Sequence, residues 1–479
     1  MKSVQNPPAP ISQEQPRKLD RLPRRVGPRS PSVVKNRTAW LILLAAVAMT
    51  VLEGAFRKWV LPQNGATKYL MYFSKDIIFA CLLFIPKRGT PSHATLIFRA
   101  WLFPGCILLG IGIMLSTMTY GINPVGAILT LRAVIVLPVI AWLVIDRLEG
   151  FSLNWALWLL ALFTLINFPL SVEQNSLPAD HILNRYAADT DEKDIAVVKS
   201  GVRATGTFAY LTGLGALSSV GIWTGLALMS QVKKTWQYVL VWLVIAAGFG
   251  CGLAAVSRAP VYIGLAMVGI WSCFSIHNLL IAWRGLIVGV VCVVLAGIFG
   301  LSEIFQNLVQ GFFDRLDTVD DTAQGRSVGQ IQELFDVLTK FPLGHGFGSE
   351  QIAGQFFSTG TAAFNNYENQ LPRLAMETGF IGVVGYVVIC GGAIVALQSA
   401  KQAARSESAR SVLLATQILL VPFFYANLIY NHIASSFVWI IFATVMAAME
   451  WQVKGRAPAP NIPRANSRKT NRPANHSQD

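Results

Sequence analysis

The chain has 479 residues, of which 53% are hydrophobic and 13% are charged. An ordinary soluble domain carries roughly 25% charged residues, so this composition excludes a soluble globular protein and indicates a membrane protein. The formal net charge of +14 lies mostly in the tails and the short loops. Basic segments of this kind suit the anionic surface of a bilayer and require no nucleic-acid partner.

Apolar runs of helix-spanning length recur along the chain and predict an all-α polytopic membrane protein with about twelve transmembrane helices. Two tails rich in Pro, Asn, Ser and Arg, residues 1–37 and 450–479, are predicted to be disordered. Nine spans fall within residues 38–301, with a loop at 172–205, and three fall within 378–449. The predicted spans are residues 39–55, 68–86, 95–117, 123–145, 152–171, 206–229, 236–256, 259–276, 279–301, 378–398, 411–430 and 432–449.

The distribution of Lys and Arg near the span ends sets the predicted orientation. The amino-terminal tail is strongly basic, so we expect it in the cytoplasm, and twelve spans return the carboxy-terminal tail to the same side. The large loop at residues 302–377 then lies outside. It holds ten acidic and four basic side chains, and this low positive charge agrees with an outer position.

The large loop has a helical pattern of its own. In RSVGQIQELFDVLTK, residues 326–340, apolar side chains recur at helical spacing and charged ones take the other face. The pattern predicts a short amphipathic helix that lies on an apolar surface. A glycine-rich turn, PLGHGFGSE, follows and contains His345. Long loops with such structure are commonly functional, so we expect the site here.

Lys75 and Asp76 lie well inside the second predicted span, and Arg132 lies well inside the fourth. Charged side chains within a bilayer are costly and by default mark a functional site. Adjacent residues point to different sides of a helix, so Lys75 and Asp76 are each expected to have a separate partner. An internal ion pair between Asp76 and Arg132 is the alternative interpretation.

Three further arginines, Arg203, Arg258 and Arg326, are predicted to face the outer side, with Lys75 and Arg132 just below them. The guanidinium group presents a rigid fork of donors that matches phosphate oxygens. A cluster of this kind at the outer membrane surface would suit a pyrophosphate whose lipid tail stays in the bilayer. Lys75, Arg132, Arg203, Arg258 and Arg326 are therefore the predicted pyrophosphate-binding residues.

Four segments, in order, carry a family resemblance. They are RATGTFAY, then VSRAP after a span, then a large outer loop with a Gly-Arg pair and a Pro-Leu-Gly-x-Gly-x-Gly turn, and finally ENQLPRLAMETGFIG. Over roughly residues 200–395 the chain resembles the bacterial O-antigen polymerase and O-antigen ligase family, and its span pattern suits that family across residues 39–449.

The resemblance implies a metal-independent glycosyltransferase without a cofactor, at the outer face of the bacterial inner membrane. Its donor would be a saccharide on undecaprenyl pyrophosphate. The family's arginines correspond to Arg203, Arg258 and Arg326, of which Arg258 and Arg326 are predicted to be catalytic.

The residue that accepts a proton from the acceptor hydroxyl is predicted to be Glu368. Many family members have His-Asn where this chain has Glu368-Asn369, and this difference weakens the ligase interpretation. Tyr367 and Asn369 are the predicted sugar contacts, and His345 is the fallback base.

Three functions stay open at this stage. The leading one is polymerisation of lipid-linked repeat units into exopolysaccharide or O-antigen, with a polysaccharide chain-length regulator as a candidate partner. The second is an O-antigen ligase, which passes the glycan to lipid A core. The third, from another class, is a flippase or transporter of lipid-linked oligosaccharide, although charges near the outer side favour an enzyme.

Overall fold

A computed structural model of the chain describes residues 31–61, 65–86, 91–148, 152–185, 197–198, 201–274, 331–349, 370–426 and 429–454, with isolated positions between 279 and 313. Helices dominate these ranges, and the one sheet described in them is a hairpin of two strands with two residues each. In chain order the helices are α1 Pro31–Ala55, α2 Gly65–Cys81, α3 His93–Tyr120, α4 Pro124–Leu131, α5 Leu137–Ile145, α6 Leu153–Ser176, α7 Leu211–Met229, α8 Thr235–Ala254, α9 Arg258–Cys273, α10 Gln370–Ala403, α11 Glu407–Ala426 and α12 His432–Lys454.

Nine helical segments in the described ranges are long and apolar enough to cross a bilayer. The chain is therefore an all-α, multi-pass membrane protein. One of the nine segments, Pro124–Ile145, joins α4 and α5 through a π-helical turn at Arg132–Val136. Helices α2 and α9, at two other predicted spans, have 17 and 16 residues and are shorter than that length. Most of the predicted span 279–301 lies outside the described residues.

The helices at both ends extend into the predicted tails. Helix α1 begins at Pro31, within residues 1–37, and α12 ends at Lys454, within residues 450–479. At its other end α1 continues through a π-helical segment, Phe56–Val60, so the first membrane helix runs five residues beyond the predicted span. The hairpin pairs β1, Val197–Val198, with β2, Gly201–Val202.

Helices α3 and α10 cross in close contact, because glycines lie where their backbones meet. A Cβ built on Gly112 would lie 2.6 Å from the backbone nitrogen of Gly382 and 2.8 Å from its Cα. Without a driving force from water, membrane helices associate through such small residues. Helix α10 also has a kink at Gly379, where φ is 64°. The kink therefore lies at the start of the predicted span 378–398.

Residues 331–340 are helical, as the spacing predicts for this part of the large loop. Val337 is fully buried and Leu334 and Leu338 pack against the core, whereas Ile331 and Phe335 are 55% and 64% exposed. The turn that follows, residues 344–348, has three glycines with positive φ. It lies on the end of α3, where Ser116 Oγ accepts from the Gly346 N–H at 3.0 Å.

Candidate functional site

The segment that carries Arg203, residues 203–209, is held by two side chains of α6. The backbone N–H groups of Thr205 and Gly206 donate to Gln174 Oε1 at 3.0 and 2.7 Å. The N–H of Thr207 donates to Asn167 Oδ1 at 2.8 Å. Buried backbone groups must find partners, and here amide side chains of a membrane helix supply them. The Thr-Gly-Thr turn is therefore fixed inside the helix bundle.

The same segment lies directly on the end of α1. Lys58 is 1% exposed, and its ammonium donates to Thr205 Oγ1 at 2.8 Å and to the Gly206 carbonyl at 2.7 Å. Thr207 Oγ1 donates to the Val51 carbonyl at 2.9 Å. Between these contacts, Gly54 packs against the backbone of the segment at Phe208. The end of the first membrane helix thus packs directly against residues 203–209, the segment that begins with Arg203.

Arg203 and Arg258 both adjoin one tight turn, residues 254–257. Arg203 Nε donates to the Ala255 carbonyl at 3.3 Å, and Arg258 is the first residue of α9. Within the turn Val256 has φ of +50°, an uncommon conformation for a β-branched residue. Strained residues of this kind concentrate at functional sites. The structure thus places two of the three predicted outer arginines at the same turn, 55 residues apart in sequence.

The charged residues inside the spans form ion pairs with one another. Lys75 Nζ lies 2.5 Å from Glu53 Oε2, and both side chains are fully buried. Arg132 makes two bonds to Asp76, from Nε at 2.5 Å and from Nη2 at 3.0 Å. Lys75 and Asp76 therefore have separate partners, as predicted, and the alternative interpretation of an Asp76–Arg132 pair describes the arrangement found.

The remaining donors of Arg132 are satisfied by the start of α12. Its guanidinium donates to Ser435 Oγ at 3.3 Å, to Ser436 Oγ at 2.8 Å and to the His432 carbonyl at 3.2 Å. Buried charges are stable in an apolar interior only when their hydrogen bonds are made inside the protein. Internal carboxylates therefore pair with both Lys75 and Arg132, two of the five residues predicted to bind pyrophosphate.

His432, which the sequence did not indicate, joins this ion-pair network. Its Nε2 lies 3.6 Å from Glu53 Oε1, and its side chain is 20% exposed. The imidazole ring stacks on Tyr72, with 4.3 Å between ring centroids. Glu53 also accepts from Arg57 Nη1 at 2.9 Å, one helical turn further along α1. Glu53 thus contacts three basic side chains, from α1, α2 and α12.

Glu53 and Lys58 are both buried in the first membrane helix, Arg37–Val60. Lys58 lies three residues beyond the end of the predicted first span, residues 39–55. Glu53 and Arg57, four residues apart, give a helical-pair signal that was available locally. The contact with His432 had no such signal, because 379 residues separate it from Glu53.

His345, the fallback base, lies elsewhere at this end of the bundle. It is exposed, and its ring lies 4.7 Å from the rings of both Tyr120 and Phe341. Its backbone N–H donates to the Met376 carbonyl at 2.5 Å. These contacts come from α3, the large loop and α10, whereas Arg203 and Arg258 are held by α6, α8 and α9.

Four predicted site residues lie outside the described residues: Arg326, Tyr367, Glu368 and Asn369. Gln370, the first described residue after them, is buried and well anchored. Its side chain donates to the Phe424 carbonyl at 2.8 Å and accepts from the Ile429 N–H at 2.8 Å. Helix α10 therefore begins in contact with the connection between α11 and α12. Its contact there, Ile429, is three residues before His432.

No protein-family profile matches the chain, and no curated protein matches it with significant similarity.

Proposed function

We propose that the chain is a metal-independent glycosyltransferase of the bacterial inner membrane. It takes a saccharide from a polyprenyl pyrophosphate, of the undecaprenyl type, and adds it to a second lipid-linked saccharide at the outer membrane face. The product is a polymer of repeat units, as in exopolysaccharide or O-antigen.

The observation that carries this proposal is the shared turn of Arg203 and Arg258. Both arginines occupy the end of the bundle where α8 and α9 meet the buried segment 203–209. Two guanidinium groups on a rigid backbone suit a diphosphate, which offers several oxygens to bidentate donors.

The chemistry needs such groups at the leaving side of the reaction. When the glycosidic bond to the pyrophosphate breaks, negative charge gathers on the leaving oxygen. Fixed cations that already surround this oxygen stabilise the transition state without reorganising. A lipid-linked donor would keep its tail in the bilayer beside the helix ends. Arg326 is the third proposed contact, on the strength of the resemblance.

The described helix ends support a topology of twelve spans with both termini in the cytoplasm. Short connections make successive helices antiparallel, so Arg258 and the end of α3 lie at one end of the bundle and Cys273 lies at the other. The turn at residues 344–348 contacts the end of α3. We propose that the predicted span 279–301 returns the chain to this end of the bundle before residue 331.

Transfer to purified acceptor tests the proposal. The protein is reconstituted with polyprenyl-pyrophosphate-linked repeat units, and polymer length is measured. Arg203→Ala and Arg258→Ala are expected to reduce turnover at least 100-fold, because each removes a charge-stabilising fork. Lysine at either position should rescue poorly, since a point charge does not replace a bidentate donor. Arg405→Ala, at an exposed position at the opposite end of the bundle, is the matched control.

Other outcomes of this assay identify the alternatives. Transfer to lipid A core glycan in place of a lipid-linked repeat unit would identify a ligase. Donor translocation across the vesicle without any new glycosidic bond would identify a transporter and overturn the proposal. Full turnover in both arginine variants would also contradict it.

The proton acceptor has two candidates from the sequence, Glu368 and His345. If Glu368 is the base, Glu368→Gln lowers turnover roughly 100- to 10,000-fold while donor binding persists. If His345 is the base, His345→Asn has that effect. Near-normal turnover in either variant removes that residue from the reaction.

A further inference from the structure

We propose that His432, oriented by Glu53, accepts the proton of the acceptor hydroxyl; this assignment rests on the proposed glycosyltransferase function. The observation is the geometry of the pair. The buried Nε2 of His432 faces Glu53 Oε1 at 3.6 Å and has no hydrogen-bond partner among the described residues. The imidazole nevertheless keeps 20% of its surface exposed, so the exposure belongs to the rest of the ring.

A carboxylate on one ring nitrogen and an open position at the other is the arrangement of a general base. The carboxylate selects the tautomer with its proton on Nε2, which leaves the lone pair on Nδ1 for the substrate. The separation of 3.6 Å is longer than a hydrogen bond. Catalytic hydrogen bonds are often long in the absence of substrate and shorten in the complex.

Several contacts fix the ring and the helix end that carries it. The ring stacks on Tyr72, and the His432 carbonyl accepts from Arg132 and Ser435. Asn431, the preceding residue, caps α12 by accepting from the Ala434 N–H at 3.1 Å. A base held in one orientation by its neighbours contributes more than a mobile one.

Charged groups of both signs surround His432. The Glu53 carboxylate would stabilise an imidazolium as the proton arrives, whereas the nearby cations would oppose it. Glu53 itself is held as a carboxylate by two ammonium or guanidinium donors. The titratable and charged groups that surround His432 are Glu53 and Arg57 of α1, Tyr72, Lys75 and Asp76 of α2, and Arg132.

The dyad is adjacent to the arginine segment. Glu53 lies between Val51 and Gly54, which contact Thr207 and Phe208 respectively. On the other side, the side-chain amide of Asn431 donates to the Thr212 carbonyl at 3.1 Å, just after that segment. The residues beside Glu53 and beside His432 therefore both touch the part of the chain that begins with Arg203. A donor on the arginines and a base at His432 would meet at one end of the bundle.

The proposed step moves one proton to His432 and exchanges one bond at the anomeric carbon of the donor. The hydroxyl proton of the acceptor sugar moves to Nδ1 of neutral His432, and the oxygen forms a bond to the anomeric carbon of the donor. The bond from that carbon to the pyrophosphate oxygen breaks, and its electron pair leaves with the polyprenyl pyrophosphate. The imidazolium, paired with Glu53, then releases its proton to water.

The test is His432→Asn in the reconstituted protein with lipid-linked donor and acceptor. Asparagine places a polar atom near the position of Nδ1 but cannot accept a proton. Turnover should fall roughly 100- to 10,000-fold, and donor binding should persist. The acid limb of the wild-type pH–rate profile should also disappear, because protonation of a histidine base removes the lone pair that accepts the substrate proton. His93→Asn, an exposed histidine at the opposite end of the bundle, is the control.

A chemical measurement on the wild-type protein covers the case in which His432→Asn does not fold. Diethyl pyrocarbonate acylates accessible imidazoles, and peptide mapping reports which ones are modified. Inactivation should follow modification of His432, and acceptor saccharide should slow both. Full turnover after His432 is modified, or in a folded His432→Asn variant, overturns the dyad while leaving the glycosyltransferase proposal intact. Absence of transfer by the wild-type protein overturns both.

Discussion

Asp76 and Arg132 show how single residues are stabilised at membrane depth. The two side chains are almost fully enclosed, and two bonds join their charged groups. Ser436 donates to Asp76 Oδ1 at 3.0 Å, so the carboxylate has a further partner. The pair is worth little relative to apolar residues, because both charges lose water on burial. Replacing only one of the two residues, however, leaves the other as a buried charge without a counter-charge.

We therefore predict that Asp76→Asn destabilises the protein by about 3–5 kcal/mol. The cause is the Arg132 guanidinium, which keeps its position and its burial but loses its carboxylate. The double variant Asp76→Asn/Arg132→Gln should recover at least half of the loss, since it removes both charges. Thermal unfolding of the purified protein in detergent measures this difference. A double variant less stable than Asp76→Asn would show that Arg132 has another role.

At the scale of elements, the crossing of α3 and α10 depends on residues without side chains. Gly112 packs against Gly382, and Gly105 packs against Gly385, one pair on each side of the crossing. The close approach holds α10 beside the helix whose end supports the glycine turn at residues 344–348. The position of that turn, and of His345 within it, thus follows from how the two helices pack.

We predict that Gly112→Leu forces α3 and α10 apart and lowers the melting temperature, at a cost of about 1–3 kcal/mol or more. Gly110→Leu is a control on the same helix, because nothing lies within 4 Å of a Cβ at Gly110. The comparison isolates the contact, since both changes have the same helix propensity. Equal melting temperatures for the two variants would contradict the close crossing.

At the largest scale, one end of the bundle holds Arg203, Arg258 and His432, the described residues of the proposed site. The connections there include residues 203–209, the turn at 254–257 and the start of α12. The connections at the other end carry the lysines and arginines at positions 233, 234, 401, 405 and 410. This separation agrees with the positive-inside rule and favours an outward-facing site.

A labelling experiment checks this orientation. In a variant without the native cysteines, Ser302→Cys should react with a membrane-impermeant maleimide in intact cells, because the large loop is predicted to lie outside. Ser406→Cys, between α10 and α11, should react only after the cells are permeabilised. The reversed pattern would place the arginine turn in the cytoplasm and would contradict the use of an outer lipid-linked donor.

The class of fold and much of its layout could be predicted from the order of the amino acids. The apolar runs predicted every described helix that is long enough to cross a bilayer, because spanning length and backbone hydrogen bonding leave few alternatives. Helical spacing also predicted the helix at residues 331–340 in the large loop. Costly charges within spans drew attention to Lys75, Asp76 and Arg132, since their burial is improbable without partners.

Which charges meet could not be predicted from the amino-acid order and follows from the packing of the helices. Glu53 and His432 are 379 residues apart, and no local pattern joins them. The same packing neutralised Lys75 and Arg132 and placed Arg203 beside the turn before Arg258. Helix ends that are far apart in sequence become neighbours because side chains of different helices pack and form ion pairs with one another. Such contacts depend on three-dimensional packing, which periodicity and composition do not encode.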